Sequence, residues 1–357
     1  MAKFHPLKIA DIYKTTKDCS VVTFEVPAEL QNDFQFKQGQ HLTLRSTING
    51  EDVRRSYSLC TSPAENKWQV AIKKINEGLF SGFVNDTLKK GDTLDVMPPH
   101  GAFHTEVNPM VAKNYIAFAA GSGITPILSI IKTHLAAEPK STFKLFYLNR
   151  TVKSIIFKEE IEQLKNRYFG RFEIFYFLTK EHRSIELYNG RFTAEKIQVL
   201  TDKIIDIPHT DDCFICGPED MIHLLRDELT KAGLPKEKIH YELFNTGLSD
   251  EDKQRISKIV EKKVEGTEVT IIDGGKEFHF VMGEDFDNIL DGALAAGADL
   301  PFACKGGVCS TCRCKVVDGS VEMKLNYSLE EEEIAKNYIL SCQAVPTSKK
   351  VVVDFGV

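Results

Sequence analysis

Four of the nine cysteines in this 357-residue chain crowd together at Cys304, Cys309, Cys312 and Cys314. With Cys342 further on, three of them spell C-x4-C-x2-C…C. Thiolates at that spacing hold a [2Fe–2S] cluster, with three ligands on one tight loop and the fourth on a distant anchor. Gly306 and Gly307 let the loop turn its backbone N–H groups toward the sulfurs, where such bonds tune the potential. Structural zinc is the plainer alternative, but zinc ribbons use paired C-x2–4-C knuckles, and the second pair is missing. The expected metal ligands are therefore Cys304, Cys309, Cys312 and Cys342. Cys314 shares a strand face with Cys312 and is read as a small buried residue.

Residues 267–357, including Leu340-Ser341-Cys342-Gln343, resemble a plant-type ferredoxin domain. A second signal lies far upstream. Arg54-Arg55-Ser56-Tyr57-Ser58-Leu59 resembles the R-x-Y-S signature of ferredoxin–NADP reductase-like flavoproteins. The residue types suit FAD: Arg55 can grip a pyrophosphate, Tyr57 can cover one isoalloxazine face, and Ser58 can hydrogen-bond near the flavin N5. Alone the tetrapeptide reads equally as a solvated strand with a half-buried tyrosine. Gly78-Leu79-Phe80-Ser81 supplies context, because the family places a Gly-x-x-Ser turn there whose helix N-terminus receives the FAD phosphates. The resemblance thus implies FAD binding by Arg55, Ser56, Tyr57, Ser58, Gly78 and Ser81. It puts Ala71, Ile72 and Lys73 along the ribityl chain.

Gly121-Ser122-Gly123-Ile124-Thr125-Pro126 follows an apolar run and opens a helical pattern. As G-x-G it is a weak nucleotide signal and could be a plain strand-to-helix turn. Its closing Thr-Pro resembles the G-x-G-x-x-P loop of the same reductases, which implies nucleotide binding by Gly121, Gly123, Thr125 and Pro126. The glycines would let the backbone approach the pyrophosphate, and Pro126 falls where a missing N–H costs nothing. Cys216-Gly217-Pro218 ends a later strand. The resemblance sets Cys216 at the carboxyl edge of the sheet, where nicotinamide must approach flavin, with Gly217 and Pro218 beside it. Cys213 and Cys216 form a C-x-x-C, but redox dithiols open helices, and this pair lies within a strand. Glu242 and Phe244 match the E-x-F ending of the domain, placed by the family beside the flavin. The resemblance therefore implies Ser58, Cys216 and Glu242 as the catalytic set. No acid stands at Tyr147-Leu148-Asn149-Arg150-Thr151 to bond a ribose 2′-OH. Arg150, with Lys180 as a further candidate, offers positive charge for a 2′-phosphate, so NADPH is expected over NADH, although both could be solvated helix-start residues.

These residues need a scaffold of three kinds. Val21–Val26, His41–Leu44 and Trp68–Ile72 alternate apolar and polar residues between turns, which predicts a small antiparallel β-barrel over residues 1–106. Tyr115–Ala120, Phe143–Leu148, Phe172–Leu178 and Cys213–Cys216 are buried-strand runs with helical patterns between them, starting with Ile124–Leu135. They predict βαβ units and a parallel-sheet α/β domain over 107–245. Residues 246–266 are charged and poor in aromatics and read as a linker, with Ser249-Asp250-Glu251-Asp252 as a possible helix start. Residues 267–357 close the chain as a ferredoxin domain with a helix over Asn288–Ala296, α+β (β-grasp) by resemblance.

Composition narrows the function. The segment 267–357 carries 8 Lys+Arg against 15 Asp+Glu, while the whole chain has a formal charge of −6. An acidic end on a near-neutral body argues against nucleic acid and suits a basic protein surface. No apolar run nears the ~20 residues that cross a bilayer, and Met1–Pro6 lacks a secretory h-region, so a cytoplasmic location is expected.

Flavin first and ferredoxin last resembles the reductase components of bacterial multicomponent oxygenases. The order implies hydride transfer from nicotinamide to FAD, then one-electron transfer through a cluster near roughly −400 mV. Tyr338–Pro346 and Tyr147–Thr151 resemble the reductases of ring 1,2-phenylacetyl-CoA epoxidases. That implies a di-iron oxygenase as electron acceptor and a role in aerobic phenylacetate degradation. A reductase of another oxygenase, hydroxylase or desaturase would carry the same motifs. A redox-sensing flavin/iron–sulfur module would instead show slow NAD(P)H-dependent cytochrome c reduction, and a zinc-stabilised interaction protein would be colourless.

Overall fold

The computed structural model describes residues 3–244 and 250–356; residues 245–249, where the expected linker begins, lie outside them. The chain divides into two compact units. One comprises His5–Val53 and Tyr57–Phe244; the other is C-terminal and includes Arg54–Ser56.

The first unit begins with strands β1 (His5–Thr16), β2 (Cys19–Glu25), β3 (His41–Ile48), β4 (Glu51–Ser58), β5 (Trp68–Lys73) and β6 (Thr93–Val96). They form one sheet in the order β4-β3-β6-β1-β2-β5. An isolated bridge from Leu59 to Val70 draws its two ends together. Two-residue alternation explains why β2 and β5 are buried on both faces. Val22, Phe24, Val70 and Ile72 point into the barrel core, with Phe80 from helix α1 (Leu79–Asp86). Cys19, Val21 and Ala71 point the other way, into a core shared with the next domain.

That domain alternates β7 (Asn114–Ala120), α2 (Ile124–Ala137), β8 (Thr142–Asn149), α3 (Lys158–Arg167), β9 (Phe172–Leu178), α4 (Ala194–Lys203), β10 (Asp212–Gly217), α5 (Glu219–Lys231) and β11 (Ile239–Leu243). The sheet order is β11-β10-β7-β8-β9, with every pairing parallel. The chain runs outward from β7 to β9 and then returns to β10 on the other side of β7. The topological switch point, where open α/β sheets bind ligands, therefore lies at the carboxyl ends of β7 and β10. Helix α2 is apolar on nearly every side because it is sandwiched between this sheet and the barrel. Ser129 donates to the Thr61 carbonyl at 2.6 Å, and Lys132 donates to the Cys60 carbonyl while pairing with Glu65 and Glu160. A buried lysine is tolerable only with such partners.

The second unit holds α6 (Asp250–Val260), β12 (Glu268–Asp273), β13 (Lys276–Val281), α7 (Ile289–Ala295), β14 (Arg313–Asp318), β15 (Val321–Met323), α8 (Glu331–Ala335), β16 (Tyr338–Leu340), β17 (Ala344–Pro346) and β18 (Lys350–Asp354). Its main sheet runs β13-β12-β18-β14-β16, with β12 and β18 parallel. Asn288 caps α7 by accepting from the Asp291 amide at 2.9 Å. Ile289, Leu290 and Ala293 then pack on Val269, Ile271, Val351 and Val353.

Candidate functional site

In the second unit, the loop between α7 and β14 carries Cys304, Cys309 and Cys312, and Cys342 follows β16. The four sulfurs approach as two pairs. Cys304 is held below the ordinary thiol range first by a hydrogen bond from Cys309 and then by the Gly306, Val308 and Cys309 amides, against the opposing effect of burial. Cys342 is likewise lowered, first by its bond with Cys312. The Gly306 amide donates to Cys304 Sγ at 3.3 Å, and Gln343 Nε2 to Cys342 Sγ at 3.5 Å. Two thiol pairs, surrounded by amide donors, fit a two-iron cluster.

The loop is tightly wound. Lys305, Gly307 and Ser310 adopt φ of 52°, 77° and 51°. A side chain at Gly307 would be strained by that φ and would sit 3.2 Å from the Leu325 carbonyl, so Gly307 makes the turn, while Gly306 supplies an amide. Ser341 fastens the distant anchor: its amide and hydroxyl both donate to the Cys312 carbonyl, at 3.1 and 3.0 Å. Gln343 donates to the Lys305 carbonyl at 2.9 Å. The roles of Ser341 and Gln343 were not legible from residue type. Cys314 is buried and faces the core, as expected.

In the first unit, parallel pairing sets Cys216 beside Glu242. Ser58, at the end of β4, donates to Glu242 Oε2 at 3.4 Å. The fold thus gathers Ser58, Cys216 and Glu242 from three separate stretches of chain. His41, not singled out from the sequence, joins them with Nδ1 4.0 Å from Glu242 Oε1. This is no ion pair at neutral pH. Burial pushes the Glu242 carboxyl up to about 8, with the Ser58 hydrogen bond opposing, and burial together with His100 pushes His41 down to about 3. Burial, reinforced by Glu242, raises the Cys216 thiol well above its ordinary range, so it is a neutral group at the sheet edge.

The raised Glu242 value sets a pH signature. Its ordinary value is 4.5 and its folded value about 8, so between them the folded chain holds the extra proton. Stability therefore falls as pH rises through that window and levels off above it. Glu242→Gln should match the parent near pH 4 and melt several degrees higher at pH 8.5. Parallel melting-temperature curves across that range would contradict this assignment.

Tyr57 lies half-buried with its ring 5.9 Å from Phe80, the second residue of α1. Gly78 caps α1 without a side-chain bond, leaving the first-turn amides as an anion cradle. A Cβ on Gly78 would meet Ser81 Oγ at 2.5 Å, and Ser81 itself folds back to donate to the Gly78 carbonyl at 3.2 Å. Arg55 is exposed and Ser56 half-buried on β4. Ala71 and Ile72 are buried in the two cores, so only their backbone is on offer to a ribityl chain. Lys73 helps line a cavity of about 310 Å³ together with Gly121, Asn149, Arg150, Arg191 and Pro218.

This cavity opens at the switch point. Gly121 has φ +54°, with nothing within 4 Å of an added Cβ, and Tyr147 Oη donates to its carbonyl at 2.9 Å. At Gly123 a Cβ would lie 2.2 Å from the Cys216 carbonyl oxygen, so this glycine lets the turn press on β10. Thr125 and Pro126 are buried in the first turn of α2, where Thr125 donates to the Ser122 carbonyl at 3.0 Å. Gly217 abuts Met221 Cε and Ala120 Cβ. None of these four is among the residues that line the cavity. Arg150 stands at its edge, Lys180 is exposed beyond it, and Phe244 is 38% exposed just past β11. Arg191, paired with Asp220 at 3.1 Å, is a third cation on this cavity beside Lys73 and Arg150, and the sequence reading missed it.

A barrel with a phosphate cradle, a parallel sheet with a nucleotide cavity and a four-thiol loop define a pyridine-nucleotide-dependent iron–sulfur flavoprotein reductase. Comparisons with known proteins agree: an oxidoreductase FAD-binding domain matches residues 6–105, an oxidoreductase NAD-binding domain 118–227, and a 2Fe-2S iron-sulfur cluster binding domain 271–347. The chain belongs to the family of oxygenase reductase components that join these three domains. It is 42% identical over 355 residues, 99% of its length and 98% of the relative's, to a component of the 1,2-phenylacetyl-CoA epoxidase of Escherichia coli (strain K12). It is 32% identical over 98% of its length and 96% of the relative's to the ferredoxin reductase component of 3-ketosteroid-9-alpha-monooxygenase of Rhodococcus rhodochrous. Its fold matches the solved phthalate dioxygenase reductase with a TM-score of 0.59, at 24% identity, over 99% of this chain and 98% of that one. Its electron donor is accordingly NAD(P)H and its acceptor an oxygenase component. No helix among the described residues is long and apolar enough to cross a membrane.

Proposed function

We propose that this chain is the reductase of a phenylacetyl-CoA epoxidase, taking electrons preferentially from NADPH and delivering them to a di-iron oxygenase in aerobic phenylacetate degradation. The 42% identity to the Escherichia coli epoxidase component, running through all three domains, carries this reading. Residues 1–106, 107–245 and 267–357 serve as its FAD, nucleotide and ferredoxin domains, and 246–266 as the linker. Nine free cysteines suit a reducing, cytoplasmic setting.

When bound, FAD accepts hydride from the nicotinamide and the [2Fe–2S] cluster carries the electrons onward singly. Tyr57 would cover one face of the flavin ring, and Arg55, Ser56, Gly78 and Ser81 would hold its phosphate-bearing end. Glu242, neutral at pH 7, would hold the Ser58 hydroxyl beside the ring's reacting nitrogen. Neutral Cys216 fills the sheet edge where nicotinamide arrives, so no buried charge opposes hydride transfer. Cys304, Cys309, Cys312 and Cys342 hold the cluster.

Arg150→Ala should raise the KM for NADPH at least about tenfold, the loss of one charge-assisted phosphate contact, with NADH changed less than about twofold. Equal weakening would remove the case for phosphate recognition. The partner is tested by supplying the purified chain to phenylacetyl-CoA epoxidase oxygenase and, separately, to 3-ketosteroid-9-alpha-monooxygenase oxygenase. The epoxidase should turn over much faster; equal or reversed rates would overturn the assignment.

A further inference from the structure

We infer that Lys132, within α2, is a positioning residue for hydride transfer: it locks the helix that follows the nucleotide turn onto the barrel segment that follows Ser58.

Helix α2 meets the barrel along one polar seam. Ser129, Lys132 and Thr133 stand at i, i+3 and i+4, the spacing that puts side chains on one helix face. Each grips the short segment 60–62. The Lys132 ammonium donates to the Cys60 carbonyl at 3.3 Å, the Ser129 hydroxyl to the Thr61 carbonyl at 2.6 Å, and the Thr133 hydroxyl to Ser62 Oγ at 3.1 Å. Lys132 also pairs with Glu65 at 3.3 Å, and Glu65 in turn accepts from the Ser62 amide at 2.8 Å. On its other side Lys132 meets Glu160 of α3. One ammonium thus joins the barrel, α2 and α3.

Lys132 is only 7% exposed. Burial works against its charge, but Glu160 and Glu65 hold it above the ordinary lysine range. Stability alone does not account for this choice, because a well-packed apolar side chain in place of a buried ion is often neutral or stabilising. The carboxylates do not need the lysine either, since the Glu65 and Glu160 side chains are 38% and 33% exposed. What the ion supplies is direction: its bonds run to fixed points on three elements, whereas an apolar contact tolerates sliding.

Both sides of the lock lead to the reacting groups. Cys60 lies two residues past Ser58, whose hydroxyl bonds Glu242. On the other side α2 begins at Ile124, directly after the Gly121–Gly123 turn and about 12 Å of helix from Lys132. Gly123 in that turn presses on the Cys216 carbonyl. A nicotinamide at this sheet edge and a flavin beside Ser58 are therefore registered against each other through Lys132. Hydride transfer is steep in that register, because the reacting atoms must lie about 3–3.5 Å apart and an error of about 1 Å costs up to about a hundredfold. The role of Lys132 rests on Ser58 lying beside the flavin, and is independent of which nucleotide or oxygenase is used.

Anaerobic stopped flow on the FAD- and cluster-loaded chain, with whichever of NADPH and NADH reduces the parent faster, tests this role. In Lys132→Met, flavin bleaching at saturating nucleotide should slow about tenfold while the Kd stays within about twofold. Nucleotide dideuterated at C4 should show a larger isotope effect than in the parent. The long-wavelength charge-transfer band between the reduced flavin and saturating oxidised nucleotide should weaken, a sign of altered ring contact that needs no turnover. Lys132→Arg keeps the charge and donors and should recover the rate to within about threefold of the parent. Ser129→Ala, a smaller change on the same seam, should slow bleaching about threefold to fivefold, and it carries the test if Lys132→Met does not fold. Bleaching within about twofold of the parent in both Lys132→Met and Ser129→Ala, or a slower rate matched by an equal loss of nucleotide affinity with the band unchanged, would overturn the proposal. Ser58→Ala separates the underlying reading: bleaching at the parent's rate would remove Ser58 from the flavin and the route proposed here with it. Slowed bleaching in Ser58→Ala beside unaffected Lys132→Met would overturn the lock alone.

Discussion

Cys309→Ser is expected to lower NADPH-dependent cytochrome c reduction by at least about a hundredfold while leaving ferricyanide reduction within about twofold of the parent. Cys309 is 8% exposed and bonds to Cys304, so serine leaves one iron with a poor ligand and the cluster is lost. Apart from Arg55 and Ser56, the flavin and nucleotide residues lie in the other compact unit, whose barrel core and β7–β11 core contain no residue of 267–357. Ferricyanide accepts electrons directly from reduced flavin, so that reaction should persist, with the visible cluster bands gone and the flavin bands intact. Loss of both reactions would show that the two units depend on each other for folding.

Gly123→Ala is the second large effect. The obstruction is backbone on both sides, the Cys216 carbonyl at 2.2 Å and the Gly217 amide nitrogen at 3.1 Å from the new Cβ, so no rotamer change relieves it. The turn must lift from β10, which parts Gly121 from its Tyr147 hydrogen bond and opens the cavity wall. Overpacking of this kind costs about 1–3 kcal/mol, or a fall of roughly 3–10 °C in melting temperature for a unit of this size. NADPH and NADH should both lose about a hundredfold in kcat/KM, because the damage reaches the nicotinamide approach rather than the ribose. Gly121→Ala provides the contrast: it meets open space, and its cost is confined to the left-handed φ. Equal melting temperatures for Gly123→Ala and the parent would contradict the packing role.

The two variants also show which parts of the site a sequence can carry. The cluster loop was legible because ligand chemistry fixes its spacing: three thiolates must come from one short turn, whatever surrounds it. Ser58, Cys216 and Glu242 were singled out only through resemblance, since they are ordinary residue types: parallel register sets Cys216 beside Glu242, and a hydrogen bond brings in Ser58 from β4. His41, Asn149 and Arg191 carried no signal for the same reason. One begins a barrel strand, one ends a buried strand, and one follows a turn, and only the sheet order brings the last two to a single cavity. Lys73 also lines the cavity at the switch point, because β5 is shared between two cores and its last residue emerges beyond both. The glycine motif did not show that Gly123 also packs against the Cys216 carbonyl, because a motif cannot say which backbone approaches it. Fold class was easier, because alternation of period two in 1–106 and β–α alternation in 107–245 are set by burial itself.

The central claim is that electrons entering from a nicotinamide nucleotide reach a two-iron centre held by Cys304, Cys309, Cys312 and Cys342. Anaerobic addition of excess NADPH to the purified chain, followed by low-temperature electron paramagnetic resonance and iron analysis, tests it most directly. The expected result is about two irons per chain and a reduced-cluster signal approaching one spin per chain. Flavin that bleaches with no such signal, or a preparation holding zinc in place of iron, would contradict it.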